Sequence, residues 1–183
     1  MPQEEKIRGA VGAVEITKID GSVYFRSIPK VFKGTPLEWT PSFQDGNRYN
    51  QKNLFAALYF AGSVFLAEKE VEARLRPEYQ ESRLTLGFRV QIDKAIDLTA
   101  PNNLALLEKA GVYRDDLIKP AGADESGYKM TRLIGKFAYE LGIKALIVPT
   151  SKPKPQDMQD EVWHNLVIFP VPLMAPFLIP VYE

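Results

Sequence analysis

The chain has 183 residues, 45% apolar and 11% aromatic, enough to bury the core of one ordinary domain and too few for two. Lys and Arg total 23, as do Asp and Glu, and this zero net charge argues against a surface built for nucleic acid or anionic membrane. Cysteine is absent, which excludes disulfide frameworks, thiolate metal sites and cysteine nucleophiles. Residues 1–6 are polar and acidic, without the pattern of an export signal, and no apolar run approaches the roughly 18 residues of a membrane span. The expectation is a soluble, cytoplasmic protein.

In chain order, residues 1–21 carry Gly9, Gly12 and Gly21 and a weak alternating run over 11–19, which reads as an N-terminal arm or edge strand. Val23-Tyr24-Phe25-Arg26 is short, aromatic and β-prone, and Pro29 and Pro36 then break the chain. From 32 to 53, Pro, Gly, Asn, Asp and Gln surround a few aromatics, the composition of a long irregular loop. Ala57-Leu58-Tyr59-Phe60-Ala61 reads as a buried strand. Ser63 is placed to cap a helix running to about Leu75, with Val64, Ala67, Val71 and Leu75 along one face. Leu84, Leu86, Phe88, Val90 and Ile92 alternate strictly, the clearest strand signal in the chain.

Helices are expected at 103–110 and 113–118, and a third from a Thr131 cap, with Ile134, Phe137, Ala138 and Leu141 on one face. Gly142 marks its end, 143–148 reads as a buried strand, 149–155 as a loop and 162–169 as a last strand. Residues 171–183, apolar between Pro172, Pro176 and Pro180, read as an arm packed on the domain or a partner. Without a regular βαβ rhythm the fold class is α+β, one domain over 22–170 with a mixed sheet and flanking helices.

Generic motifs give no function. His164 is the only histidine and lies in a strand, where a core or surface role outweighs a chemical one. No EF-hand spacing, HExxH, GxSxG, P-loop or GxGxxG occurs, so no metal is expected.

Several segments taken together say more. They are Phe25-Arg26, Gly46-Asn47-Arg48-Tyr49-Asn50, Tyr59 with Glu70 eleven residues on, Val148-Pro149-Thr150-Ser151, and Asn165. In order and spacing this resembles the RES domain family, from about residue 23 to 170. The resemblance implies a fold similar to diphtheria-toxin-like ADP-ribosyltransferases. It also implies a bacterial toxin that consumes NAD by hydrolysis or phosphorolysis, with a helical DNA-binding antitoxin as partner. Protein ADP-ribosylation at the same site, or a catalytically silent protein that binds a nucleotide or an antitoxin, are the alternatives. A homodimer stays open.

Nicotinamide departs from NAD as a neutral group, so breaking its bond to ribose calls for a carboxylate beside an oxocarbenium-like centre rather than a strong acid. On the resemblance, Glu70 takes that role. Arg26 and Arg48 are suited to grip the diphosphate, since a guanidinium fork matches phosphate oxygens. Tyr59 and Tyr49 offer rings for stacking, and Asn165 a further polar contact. Thr150 stands where the family has serine, and Ser151 lies one residue on. Which hydroxyl faces the site stays open at this point.

Overall fold

The computed structural model describes residues 1–72, 82–118, 125–170 and 178–181. Alternating β-branched and aromatic residues build two long strands, β1 (Ile16–Pro29) and β3 (Arg83–Asp97), which pair antiparallel from Ile16↔Ile96 to Pro29↔Arg83. Between them in sequence lie α2 (Thr40–Asp45), β2 (Leu58–Ala61) and α3 (Val64–Glu72). After β3 come α4 (Pro101–Lys109), α5 (Arg114–Leu117), α6 (Lys129–Glu140), β4 (Ala145–Pro149), β5 (His164–Ile168) and β6 (Leu178–Pro180). The sheet order is β1-β2-β5-β4-β3-β6, and because β1 also pairs with β3 the ladder returns on itself. β3 runs parallel to β4, and every other pairing is antiparallel, so the sheet is mixed.

The curled sheet separates two cores, and alternation along a strand assigns residues to each. Ala145 and Ile147 of β4 join Ile19, Leu58, Phe60, Phe88, Val90 and Leu166 inside the curl. Leu146 and Val148 point the other way, into a layer with Ile7, Val11, Leu107, Ile134, Phe137 and Ala138 from the helices. This is the α+β domain expected, with one departure at its start. Residues 3–13 form a helix, α1 (Gln3–Ala13), rather than an arm or strand. Ile7, Val11 and Val14 recur at helical spacing and are buried, which outweighs the weak alternation over 11–19.

Other bounds shift by a few residues. The short strand at Tyr24 extends to all of β1, and part of the irregular loop folds as α2. Thr131 lies inside α6, where its hydroxyl donates to the Tyr128 carbonyl at 3.1 Å instead of capping the helix. At the C-terminus β6 pairs with β3 from Phe88↔Pro180 to Val90↔Leu178, so this part of the arm packs on the domain itself. Leu75, Pro172 and Pro176, named above, lie outside the described residues.

His164 is half-buried at the start of β5. Its Nε2 hydrogen-bonds the Tyr24 hydroxyl across 3.0 Å, and its ring is tilted against the Tyr24 ring. Burial pushes the imidazole below its ordinary range, opposed by the charge of Asp97, and pushes the Tyr24 hydroxyl up to about 12. An imidazole that resists protonation in the fold leaves the unfolded chain binding more protons as pH falls through about 6.5, so stability drops with acidification. The melting temperature should fall between pH 7 and pH 5, and His164→Gln should flatten that slope. An unchanged slope in the variant would assign it to other groups.

Candidate functional site

β1 meets β2 at one register pair, Phe25↔Ala61, whereas β2 pairs with β5 along its whole length. Beyond that pair the strands part, and a cavity of about 360 Å³ opens at the seam. Phe25, Arg26 and Ser27 line it from β1, and Tyr59, Phe60 and Ala61 from β2. Ala67, Glu70 and Val71 of α3, the 41–47 segment, Arg83 and Asn165 complete the wall.

α3 brings Glu70 inward by its phase. Ser63 accepts a hydrogen bond from the Leu66 N–H at 3.2 Å, capping the helix as its sequence suggests. Buried Leu66 and Ala67 fix which face is inward, and Glu70 lies one turn further along that face. Glu68 and Glu72 are exposed, and Glu72 is paired with Lys69 at 2.7 Å. One oxygen of Glu70, Oε1, accepts from the Thr150 hydroxyl at 2.7 Å and from Asn165 Nδ2 at 2.8 Å. Thr150 follows the end of β4, and Asn165 pairs in register with both Val148 of β4 and Ala61 of β2. Two neighbouring strands thus hold the carboxylate by one oxygen. Thr150 Oγ1 also accepts from the Lys152 N–H at 3.1 Å, so this hydroxyl is the one engaged with the glutamate. Among the described residues Ser151 makes no bond to Glu70 and does not line the cavity.

Arg26 is largely buried. Its Nη2 donates to the Glu38 carbonyl at 3.2 Å, its guanidinium lies 5.9 Å from the Phe60 ring, and its Nη1 is buried without a partner. Burial, then the positive charge of Arg83, pulls it down to about 10, so it remains cationic at neutral pH. Asn165 Oδ1 is likewise buried without a partner. An orphan donor and an orphan acceptor on one cavity wall are what a polar ligand would satisfy.

The Gly46-Asn47-Arg48-Tyr49-Asn50 segment divides between site and scaffold. Gly46 has φ +69°, and a Cβ there would stand 2.8 Å from the Lys52 backbone nitrogen, so only glycine fits. Gly46 and Asn47 face the cavity. Arg48 does not, contrary to its expected place on the diphosphate. It is buried behind the wall, where Nη1 donates to the Leu117 carbonyl at 3.4 Å and the guanidinium lies over Tyr128. Tyr49 is fully buried in the helical core, its hydroxyl donating to the same Leu117 carbonyl, so it offers no ring for stacking. The Tyr59 hydroxyl accepts from the Tyr49 N–H and donates to Asn50 Oδ1, both at 3.0 Å, while the residue lines the cavity. Asn50 in turn donates to the Ser42 and Phe55 carbonyls, tying this loop to the cavity floor.

Sequence reading missed Ser42 and Arg83. Ser42 Oγ receives the Ala57 N–H at 3.1 Å. Arg83 opens β3, and because Ser27 is opposite Thr85, Arg83 is the diagonal neighbour of Ser27 across the ladder. Its Nε donates to Ser27 Oγ at 3.1 Å and Nη2 to the Ser27 carbonyl. The signal was recoverable only from the β1–β3 register. No group of three or more His, Asp or Glu side chains able to hold a metal occurs among the described residues, nor does any helix long and apolar enough to cross a membrane.

Fold and site together define a one-domain α+β protein with a carboxylate and arginines across the seam of a curled mixed sheet. The fold is similar to that of a chain in the crystal structure of the M. tuberculosis MbcT–MbcA toxin–antitoxin complex, with a TM-score of 0.69 and 19% identity over 99% of this chain and 92% of that one. Residues 23–182 match the RES domain, and the chain belongs to that family. No curated protein matches it in sequence.

Proposed function

We propose that the protein is an NAD-consuming toxin enzyme that cleaves the nicotinamide–ribose bond, with Glu70 as the carboxylate beside the reacting carbon. The observation that carries this reading is the way Glu70 is held. Thr150 and Asn165 both bind Oε1, which leaves Oε2 to meet a ribose hydroxyl and to stabilise positive charge at C1′. Both donors are neutral, so they orient the carboxylate without cancelling its charge. As the bond breaks, its electron pair leaves with neutral nicotinamide. Water or phosphate then attacks C1′, and with water the products are ADP-ribose, nicotinamide and a proton. Arg26 supplies a cation for the diphosphate, and Phe25 and Tyr59 supply flat walls. Membership of the RES family supports the substrate class, and the fold shared with a chain of a toxin–antitoxin complex supports an antitoxin as partner.

Purified protein incubated with NAD should release free nicotinamide. Phosphate dependence and transfer of label to protein then separate hydrolysis, phosphorolysis and ADP-ribosylation, and absence of release would leave a silent binding protein. Thr150→Val removes one hydrogen bond to a carboxylate, a contact worth about 1.5–3 kcal/mol, and should lower kcat roughly tenfold or more. Ser151→Ala should stay near wild type. The reverse order would move the hydroxyl assignment by one residue.

A further inference from the structure

We propose that Arg83 is the second anion-holding residue of the cavity, joining Arg26 on the substrate diphosphate and setting a preference for a dinucleotide over a mononucleotide. The proposal rests on the NAD reading above and extends it to a residue outside the recognised motif. Arg83 stands where two recesses meet. One is the main cavity, and the other, about 220 Å³, is lined by Ser27, Glu68, Val71, Glu72, Arg83 and Thr85.

Its guanidinium is fixed on one edge only. Nε and Nη2 are engaged by Ser27, and the Nη1 hydrogens have no partner among the described residues. Arg26 shows the same pattern, with Nη2 on the Glu38 carbonyl and Nη1 buried and unpaired. Two arginines therefore face one cavity, each held by neutral oxygens and each with donors to spare.

No ion pair neutralises either of them among the described residues, although the Glu38 carboxylate acts on Arg26 through space and Glu68 and Glu72 border the smaller recess beside Arg83. The carboxylates on the main wall are Asp45 and Glu70, and neither forms an ion pair with Arg26 or Arg83 among the described residues. Gathering two poorly neutralised guanidiniums is unfavourable unless an anion relieves it. A diphosphate carries two charges and several acceptors at the spacing two planar forks can share. Bracing Ser27 alone would need no second cation at the cavity, whereas a diphosphate site does.

The test uses inorganic pyrophosphate as the probe, by calorimetry, beside steady-state nicotinamide release from NAD and from nicotinamide mononucleotide. Wild type, Arg83→Ala, Arg83→Lys and Arg89→Ala are compared. Arg89 lies on the same strand, bound to the Gly21 carbonyl, and is exposed. Arg83→Ala should weaken pyrophosphate binding roughly tenfold to a hundredfold and raise KM for NAD by a similar factor, with kcat little changed. Arg83→Lys should recover part of the loss, and Arg89→Ala should match wild type. Mononucleotide kinetics should not move. Should Arg83→Ala fail to fold, Arg83→Gln keeps donors for Ser27 while removing the charge, and the same losses are expected. Pyrophosphate binding that Arg83→Ala leaves unchanged, or that wild type lacks, overturns the proposal, as do equal losses on NAD and the mononucleotide. Loss of pyrophosphate binding in a protein that never cleaves NAD would uphold the anion site and defeat the NAD reading instead.

Discussion

Replacing Gly135 with alanine should cost the protein about 3 kcal/mol or more. On an open helix face the same change is favourable by up to about 1 kcal/mol, because alanine has less backbone freedom to lose. Gly135 lies in the middle of α6, and a Cβ there would fall 1.8 Å from the Tyr49 carbonyl oxygen and 2.8 Å from its carbon. Those atoms are backbone and cannot swing aside. α6 would have to lift from the 46–50 segment, dragging on Arg48, on buried Tyr49 and on the Asn50–Tyr59 hydrogen bond at the cavity floor. Overpacking of side chains usually costs 1–3 kcal/mol, and a clash with main chain belongs at or above the top of that range. For a chain of this length each kcal/mol shifts the melting temperature by roughly 2–4 °C, so a fall of at least about 6 °C is expected. Gly9→Ala on the exposed face of α1, with nothing within 4 Å of the new carbon, should melt at or above the wild-type temperature. Equal melting of the two variants would disprove the close approach of α6 to this loop.

Glu70→Gln should lower kcat for nicotinamide release by roughly 10²–10³ while the fold survives, the scale expected when one preorganised electrostatic contact to a transition state is lost. Glutamine has the shape of glutamate, and its carbonyl oxygen can still accept from Thr150 and Asn165. What disappears is the negative charge, needed only as positive charge develops at C1′. KM should therefore change much less than kcat. Glu68→Gln, on the exposed side of α3, serves as the control and should remain near wild type. Loss of turnover with Glu68→Gln and its retention with Glu70→Gln would move the carboxylate by half a helical turn.

In the sequence Glu70 stands out by its eleven-residue distance from Tyr59 in the family pattern and not by helix phase, since Glu68 and Glu72 share the same charged stretch. The fold separates the three, because Ser63, Leu66 and Ala67 set the phase of α3, and it carries Asn165 between β2 and β4. Arg48 lies off the cavity wall, and its direction could not be read from the sequence. A loop has no period, and nothing within Gly46-Asn47-Arg48 says which residue turns toward the cavity and which toward the Leu117 carbonyl. Arg83 escaped notice because its relation to Ser27 spans 56 positions and exists only once β1 and β3 are aligned. At the start of the chain the stripe of Ile7 and Val11 in α1, continued by Val14 just after it, was overshadowed by two glycines and by the alternation that belongs to the start of β1.

The place of β5 bears on the order in which the molecule becomes complete. β5 is late in the chain yet central in the sheet, seated between β2 and β4, and it brings the Asn165 that grips Glu70. A ribosome adding about 5–20 residues per second has already released β1 and β2 for several seconds before residue 165 appears. Until then β2 and β4 have no strand to join them, and the carboxylate lacks one of its two anchors. A nascent or prematurely ended chain is thus without an assembled site, however well its first half has folded. For a protein proposed to drain a nucleotide from the cell that makes it, the site can assemble only after β5 has emerged.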